Sequence, residues 1–405
     1  MAVELKPLPP VDAIAAFEAR KGDLVETFSW QEFWQEEHAT SLTVAKSAGF
    51  DILKDISAAF EKALKEGRTP AEFARTLRPA LEAKGWWGRK FVEDPLTGEV
   101  RPAQLGSARR LQTIFDTNMR VSYAAGHWAN FERNRKARPF LRYVCILDER
   151  TRPAHRARHN LVLPIDHPYW DAWAPPCGWN CRCTLQSLSQ RDIDRLLAEG
   201  EDLRFEPPED TFRNFVNSRT GEVVRVPDGI DPGWAYNPGR AGYEARVNKA
   251  IAEKIADAPP ELVAAAVEER VSSSAFERFV QRPEGSMPVM PIPPALAASL
   301  GVDARVALLS AETMTKQLAR HPEMTIADYR LLPGFPAKAT LAVVDGPLSV
   351  VLIRLAGGRW LHAVIKATKS RSAAFLTSYR FTSEERVRKL LDRDGVRIVV
   401  DRRKE

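Results

Sequence analysis

Three of the chain's four cysteines, Cys177, Cys181 and Cys183, fall within seven residues of the stretch APPCGWNCRCTL, and His155, His159 and His167 stand just before it. The segment around them, NLVLPIDHPYWDAWAPPCGWNCRCTLQSLS, is too rich in Pro, Trp and Gly to carry long runs of regular backbone hydrogen bonding. Such a segment holds one conformation only if side chains or a bound ion pin it. Four readings are open. Zinc takes about four N/S ligands, and His155 with Cys177, Cys181 and Cys183, or two His with two Cys, could supply them. The C-x₃-C-x-C spacing departs from the common C-x₂-C knuckle. Alternatively the thiols are buried as small hydrophobes, with Arg182 making the polar contacts. A disulfide is strained for cysteines as close as Cys181 and Cys183. A Cys/His nucleophile lacks any visible oxyanion element.

Before this segment the chain reads as helix. DILKDISAAFEKALKEG puts Ile52, Ile56, Ala59, Phe60 and Ala63 on one face and stops at Gly67. Thr69-Pro70 with Glu72 is an N-cap followed by Pro at the first helical position. That helix runs to Gly85, with a kink expected at Pro79. The aromatics of WQEFWQEEHATSLTVAKSAGF also fall at helical spacing, WWGRKFVEDPLTGEVRPAQL reads as a loop, and a long helix is expected from about Ser107 to Arg135. A strand starts at Leu141, RDIDRLLAEG is a short helix, and FRNFVNSRTGEVVRVP is a hairpin turning at Thr220-Gly221. Residues 241–280 are helical again. Five of the twelve residues from Pro283 to Pro294 are proline, which predicts a stiff linker and a domain boundary. Beyond it, SVVLIRL, WLHAVIKAT and AAFLTSYRF alternate as strands, joined by Gly357-Gly358 and KSRS, before a helix over 383–393 and a last strand, VRIVV.

The expected class is therefore α+β. A helical region (1–136) leads into a small Cys/His-bearing domain (137–240), then a helix with a Pro-rich linker (241–300), then a small basic α+β domain with an antiparallel sheet (301–405). No apolar run approaches the roughly 18 residues of a membrane span. MAVELKPLPPVDA lacks the basic and apolar regions of a secretion signal, so no membrane partner is expected. The formal charge is +6, yet residues 335–405 hold 15 Lys and Arg against 7 Asp and Glu. That imbalance suggests a polyanion partner for this end; a solvated basic surface is the alternative.

The stretch LDERTRPAHRARHNLVLPIDHPYWDAWAPPCGWNCRCTLQSLSQRDI resembles the signature of the phage Mu F-like head morphogenesis family. The matching residues are Asp148, Arg152, His155, Trp170, Pro175, Pro176, Asn180, Cys181, Arg182 and Cys183. ALEAKGWWGRK, FDTNMRVSYAAGHW and VPDGIDPGWAYNPG carry the likeness over roughly residues 30–245. His159-Asn160 departs from the family where a Gly is expected near the turn. The resemblance implies a minor head protein of the virion, assembled in the host cytoplasm, partnered by portal and head proteins, and not enzymatic in this domain. WLHAVIKATKSRSAAFLTSYRF is similar to the phage barnase/EndoU/colicin/RelE-like nuclease domains, through His362, Lys366, Thr368 and Ser378-Tyr379, with Arg380 beside them. This implies metal-independent RNA cleavage. His362 would be the base or acid, Lys366 and Arg380 would bind phosphate, and Thr368 and Ser378 would position it. On a strand His362, Val364, Lys366 and Thr368 share a face, which the wet side of a half-buried sheet would equally explain. A module that holds RNA or packaged DNA without cutting it, or a protein-interaction appendage, is the non-catalytic alternative.

Overall fold

The computed structural model describes residues 9–403 except 23, 48, 257, 284, 285, 369, 370 and 372. Three residues of the KSRS connection, Lys369, Ser370 and Ser372, therefore lie outside the described residues, as do residues 284 and 285 of the Pro-rich segment. The chain divides into two compact units, residues 1–246 and 247–405. Helices and sheets mix in an α+β architecture.

The first unit opens with helices Val11–Arg20, Phe50–Glu66 and Pro70–Ala83. The last begins with a reciprocal cap: Thr69 Oγ1 accepts from the Glu72 amide while the Glu72 carboxylate accepts from the Thr69 amide. It continues as one element through Pro79. Helix Phe50–Glu66 ends at Gly67 with φ +66, a left-handed C-cap. These helices and the first half of helix Ala108–Asn134 share a core around Phe60, Phe73 and Phe115. Further along that long helix, Trp128 and Phe131 pack with Leu141 and Tyr143. The helical region 1–136 thus shares a core with the strand at Phe140–Val144.

Two expectations fail here. The stretch after Trp86-Trp87 is no loop: Arg89–Glu93 (β1) and Val100–Gln104 (β2) form an antiparallel hairpin. Both strands are largely exposed, so no apolar alternation marks them. Buried Asp94 closes the turn, accepting from Leu96 N and ion-pairing with Arg219 at 2.7 Å. Likewise, WQEFWQEEHATSLTVAKSAGF forms only a 3₁₀ turn at Trp30–Glu32 and a short helix at Glu37–Thr40. Its tryptophans serve packing at a distance: Trp34 stacks on Phe215, with ring centroids 5.8 Å apart.

Phe140–Val144 (β3), Val162–Pro164 (β4) and Thr184–Leu188 (β5) form a sheet in the order β4-β3-β5. Phe212–Val216 (β6) and Val223–Pro227 (β7) form the expected hairpin.

The second unit is built on a seven-stranded sheet. Its strands are Ser286–Pro291 (β8), Val306–Ser310 (β9), Leu341–Val344 (β10), Ser349–Ala356 (β11), Arg359–Ala367 (β12), Ala374–Thr382 (β13) and Arg397–Asp401 (β14), in the order β14-β10-β11-β12-β13-β9-β8. All pairings are antiparallel except β13 with β9. The Pro-rich segment is therefore not a linker. It supplies edge strand β8, whose Met287, Val289 and Met290 are buried in the core. Proline fixes an extended φ and is tolerated at a sheet edge, where its missing N–H breaks no ladder.

Candidate functional site

The sequence motifs of the first unit clamp one another. Asp148 lies beyond the end of β3 and receives both terminal nitrogens of Arg182, at 2.8 and 2.5 Å. Arg182, hydrogen-bonded to it, holds the Asp148 carboxyl well below the usual carboxylate range. Arg152 reaches across to Asp231 at 3.0 and 2.8 Å, and Asp231 also accepts from the Trp179 amide at 2.8 Å. On the next turn of the short helix Pro153–Arg156, His155 Nε2 donates to the Gly229 carbonyl at 2.9 Å. The Arg-x-x-His pair thus grips the PDGIDPGW segment with both residues. Gly229 has φ +99, and a Cβ there would come within 2.4 Å of Ala154 Cβ. Asn160, where the family expects Gly, sits at φ +65, a conformation Asn tolerates better than most residues. Its Oδ1 accepts from Arg142 Nε at 2.9 Å.

With Nε2 committed to Gly229, His155 presents a bare Nδ1 to the thiols of Cys181 and Cys183, each 3.7 Å away. The donor atoms of His155, Cys181 and Cys183 all lie within 4.8 Å of one another, so these three could hold a metal ion. Cys177 is not among them. Its buried thiol donates to the Trp173 carbonyl at 3.4 Å and lies 4.0 Å from the Tyr143 hydroxyl. Nor do the other two histidines join: His159 Nδ1 accepts from the Cys145 amide and His167 Nδ1 from the Tyr169 amide. The cysteine that sequence spacing passes over, Cys145 at the exit of β3, has its sulfur 3.5 Å from that of Cys183. Its only sequence signal is its place at the end of an apolar strand run. Mutual hydrogen bonding keeps the free thiols protonated: Cys183 is pushed up to about 11, first by Cys145, and Cys181 to about 12, first by Cys183. Without an ion these are poor nucleophiles at neutral pH. All four cysteines are free.

In the second unit His362, Val364 and Lys366 of β12 line one face of the sheet, opposite Ile353, Val351 and Ser349 of β11. Arg380 of β13 faces His362 directly. Helix Glu384–Leu391 covers this face, leaving a cavity of about 520 Å³. The face is therefore not simply the wet side of a sheet. Lys389 and Arg393 at the rim pair with Glu385 and Asp345. Lys366, Arg380 and Arg386 have no ion-pair partner among the described residues. Burial, then Arg380, pushes His362 down to about 4, and its buried Nδ1 has no hydrogen-bond partner. Burial and the Arg380 charge thus both disfavour the protonated imidazole. Thr368 lies elsewhere: its hydroxyl donates to the Ala373 carbonyl at 3.3 Å and accepts from the Ala373 amide, closing the turn after β12. Ser378 pairs with Val364 across the ladder but does not line the cavity, whereas Ser349 and Thr382 do.

No helix among the described residues is long and apolar enough to cross a membrane. No solved structure matches the chain. The chain is 34% identical to the candidate capsid assembly protein F of Escherichia phage Mu over 301 residues, which is 69% of this chain and 66% of that protein. It is 34% identical to the Mu-like prophage FluMu F protein of Haemophilus influenzae over 229 residues, 54% of each. The chain thus spans just under two thirds and about half the length of these relatives. The family described as Phage Mu protein F like protein matches residues 54–186, a span that runs from within helix Phe50–Glu66 through Asp148, Arg152, His155 and the Cys-Arg-Cys turn.

Proposed function

We propose that this chain is a head-assembly component of a Mu-like phage or prophage, carried in the virion at the portal vertex and contacting portal and head proteins. The observation that carries the reading is the 34% identity to the phage Mu protein over 301 residues. The first unit supports it: its motif residues are spent on clamping loops, Arg182 on Asp148 and Arg152 on Asp231, and leave no catalytic constellation. One structural zinc at His155, Cys181 and Cys183 would pin that loop-rich segment as the side-chain clamps do. Mass spectrometry of purified particles tests the assembly role. The chain should be present in few copies per particle, and a phage lacking it should yield no filled heads. Its absence from particles and their precursors would refute the reading.

A second reading is favoured by the convergence of His362, Lys366 and Arg380 on one cavity. In it the second unit is an RNase-like effector carried with the head. His362 would take the 2′-hydroxyl proton as O2′ attacks phosphorus, the P–O5′ bond would break to leave a 2′,3′-cyclic phosphate with the departing O5′ taking a proton from water, and Lys366 and Arg380 would hold the phosphate oxygens. The full chain should cleave RNA without added metal, and His362→Ala should remove the activity. Salt-sensitive RNA or DNA binding that survives His362→Ala, with no cleavage, would instead mark a nucleic-acid tether.

A further inference from the structure

The three donors His155, Cys181 and Cys183 leave a four-coordinate ion one ligand short. Sequence spacing offers Cys177 for that place; packing denies it, because the Cys177 thiol points at the Trp173 carbonyl and the Tyr143 hydroxyl. From Zn–S and Zn–N bonds of about 2.3 and 2.0–2.1 Å, a tetrahedral centre has S···S edges of about 3.8 Å and S···N edges of about 3.6 Å. Both His155–thiol distances are 3.7 Å, and the Cys145–Cys183 distance is 3.5 Å. Three of the six pairs are thus spaced like edges of one coordination tetrahedron, while the Cys145 sulfur stands outside the 4.8 Å that holds the other three donors together. Cys145 is buried, as are Cys181 and His155, so water reaches the fourth position poorly. The Cys145 thiol now donates to the His155 carbonyl at 3.1 Å, a weak bond that a rotation about its Cα–Cβ bond releases.

We propose that Cys145 is the fourth ligand, making a closed Cys₃His zinc centre of Cys145, His155, Cys181 and Cys183. The inference rests on the reading of a structural zinc at His155, Cys181 and Cys183 and adds the ligand that reading lacks. The centre ties three segments with no local reason to meet: the exit of β3, the helix Pro153–Arg156 and the turn that enters β5. A structural site has four protein ligands, while an open fourth position belongs to catalysis, and no catalytic partner stands around these thiols among the described residues. The Gly229 carbonyl on His155 Nε2 is the outer hydrogen bond that fixes the ring with Nδ1 toward the metal.

X-ray absorption of the full-length wild-type protein loaded with zinc tests this directly. One zinc per chain with three sulfurs at about 2.3 Å and one nitrogen is expected. Two sulfurs with two light atoms would overturn the role of Cys145 while leaving the zinc reading standing; no bound zinc would overturn both. Cobalt(II) substitution supplies the assignment. Cys145→Ser should lower the sulfur-to-cobalt charge-transfer absorbance by about a third, and Cys177→Ser should leave it unchanged. The reverse pattern would place Cys177 at the metal and sink the proposal. If Cys145→Ser does not fold, the wild-type sulfur count with the Cys177→Ser spectrum still decides it.

Discussion

Asp210 is the carboxylate that pairs with buried Arg158 beside Trp173. Arg158 is 5% exposed, and its guanidinium sits 3.2 Å from the centre of the Trp173 ring. Its Nη2 donates to Asp210 Oδ1 at 2.5 Å, and the Trp173 indole N–H donates to the same carboxylate at 2.9–3.0 Å. Asp210→Ala would orphan the Trp173 N–H and leave the Arg158 charge without its carboxylate, although Arg158 Nε and Nη1 keep the Tyr169 hydroxyl and the Ala154 carbonyl. Removing one partner of a buried pair costs about 3–5 kcal/mol, and an orphaned buried donor about 1–3 kcal/mol. Asp210 keeps 19% of its side chain exposed, so water offsets part of this, and we expect about 3–4 kcal/mol. Nine of the ten tryptophans precede residue 247, so tryptophan fluorescence reports the first unit. With a urea m-value of about 2–3 kcal/mol/M, the fluorescence midpoint should fall by about 1–2 M. Asp228→Ala breaks an ion pair with Arg213 in which both side chains are more than 40% exposed, and should move the midpoint by about 0.3 M or less. Equal shifts for the two variants would refute the argument that burial, not charge pairing itself, makes the Asp210 contacts matter.

Two further outcomes rest on the same physics. His38, half-buried beside Arg20, is held down to about 4, chiefly by desolvation. The unfolded chain binds its proton first, so stability is intact above about pH 6.5 and falls as pH drops toward 4, by at most about 3 kcal/mol. His38→Gln should flatten that stretch of the stability–pH curve, and an unchanged slope between pH 6.5 and 4 would contradict it. Gly229→Ala meets both a φ of +99 and the Ala154 contact, so a loss of about 2–5 kcal/mol is expected; a midpoint within 0.3 M of wild type, a bound roughly at the level of an exposed substitution, would contradict the close approach.

The residues brought into the cavity of the second unit show how far strand alternation reads. Period-2 spacing put His362 and Lys366 on one face, and the ladder then set Arg380 opposite His362. The same spacing extended one step too far to Thr368, where the strand has already ended and the hydroxyl closes a turn. Arg386 joined from a helix whose docking no local pattern announces. In the first unit, the exposed hairpin β1–β2 was missed because its residues carry no buried face to alternate with.

Local chemistry in the chain determined the Thr69/Glu72 cap, the stop at Gly67, the long helix from Ser107 and the strands β11 to β13, because each depends on neighbours two to four residues away. It also determined that the Pro- and Trp-rich middle needs pinning. Which thiols meet was decided only in three dimensions. Cys177 is six residues from Cys183 and turns away, while Cys145 is 38 residues away and touches it. Ligand sets form where separate elements pack, and strand β3, not sequence proximity, carries Cys145 there.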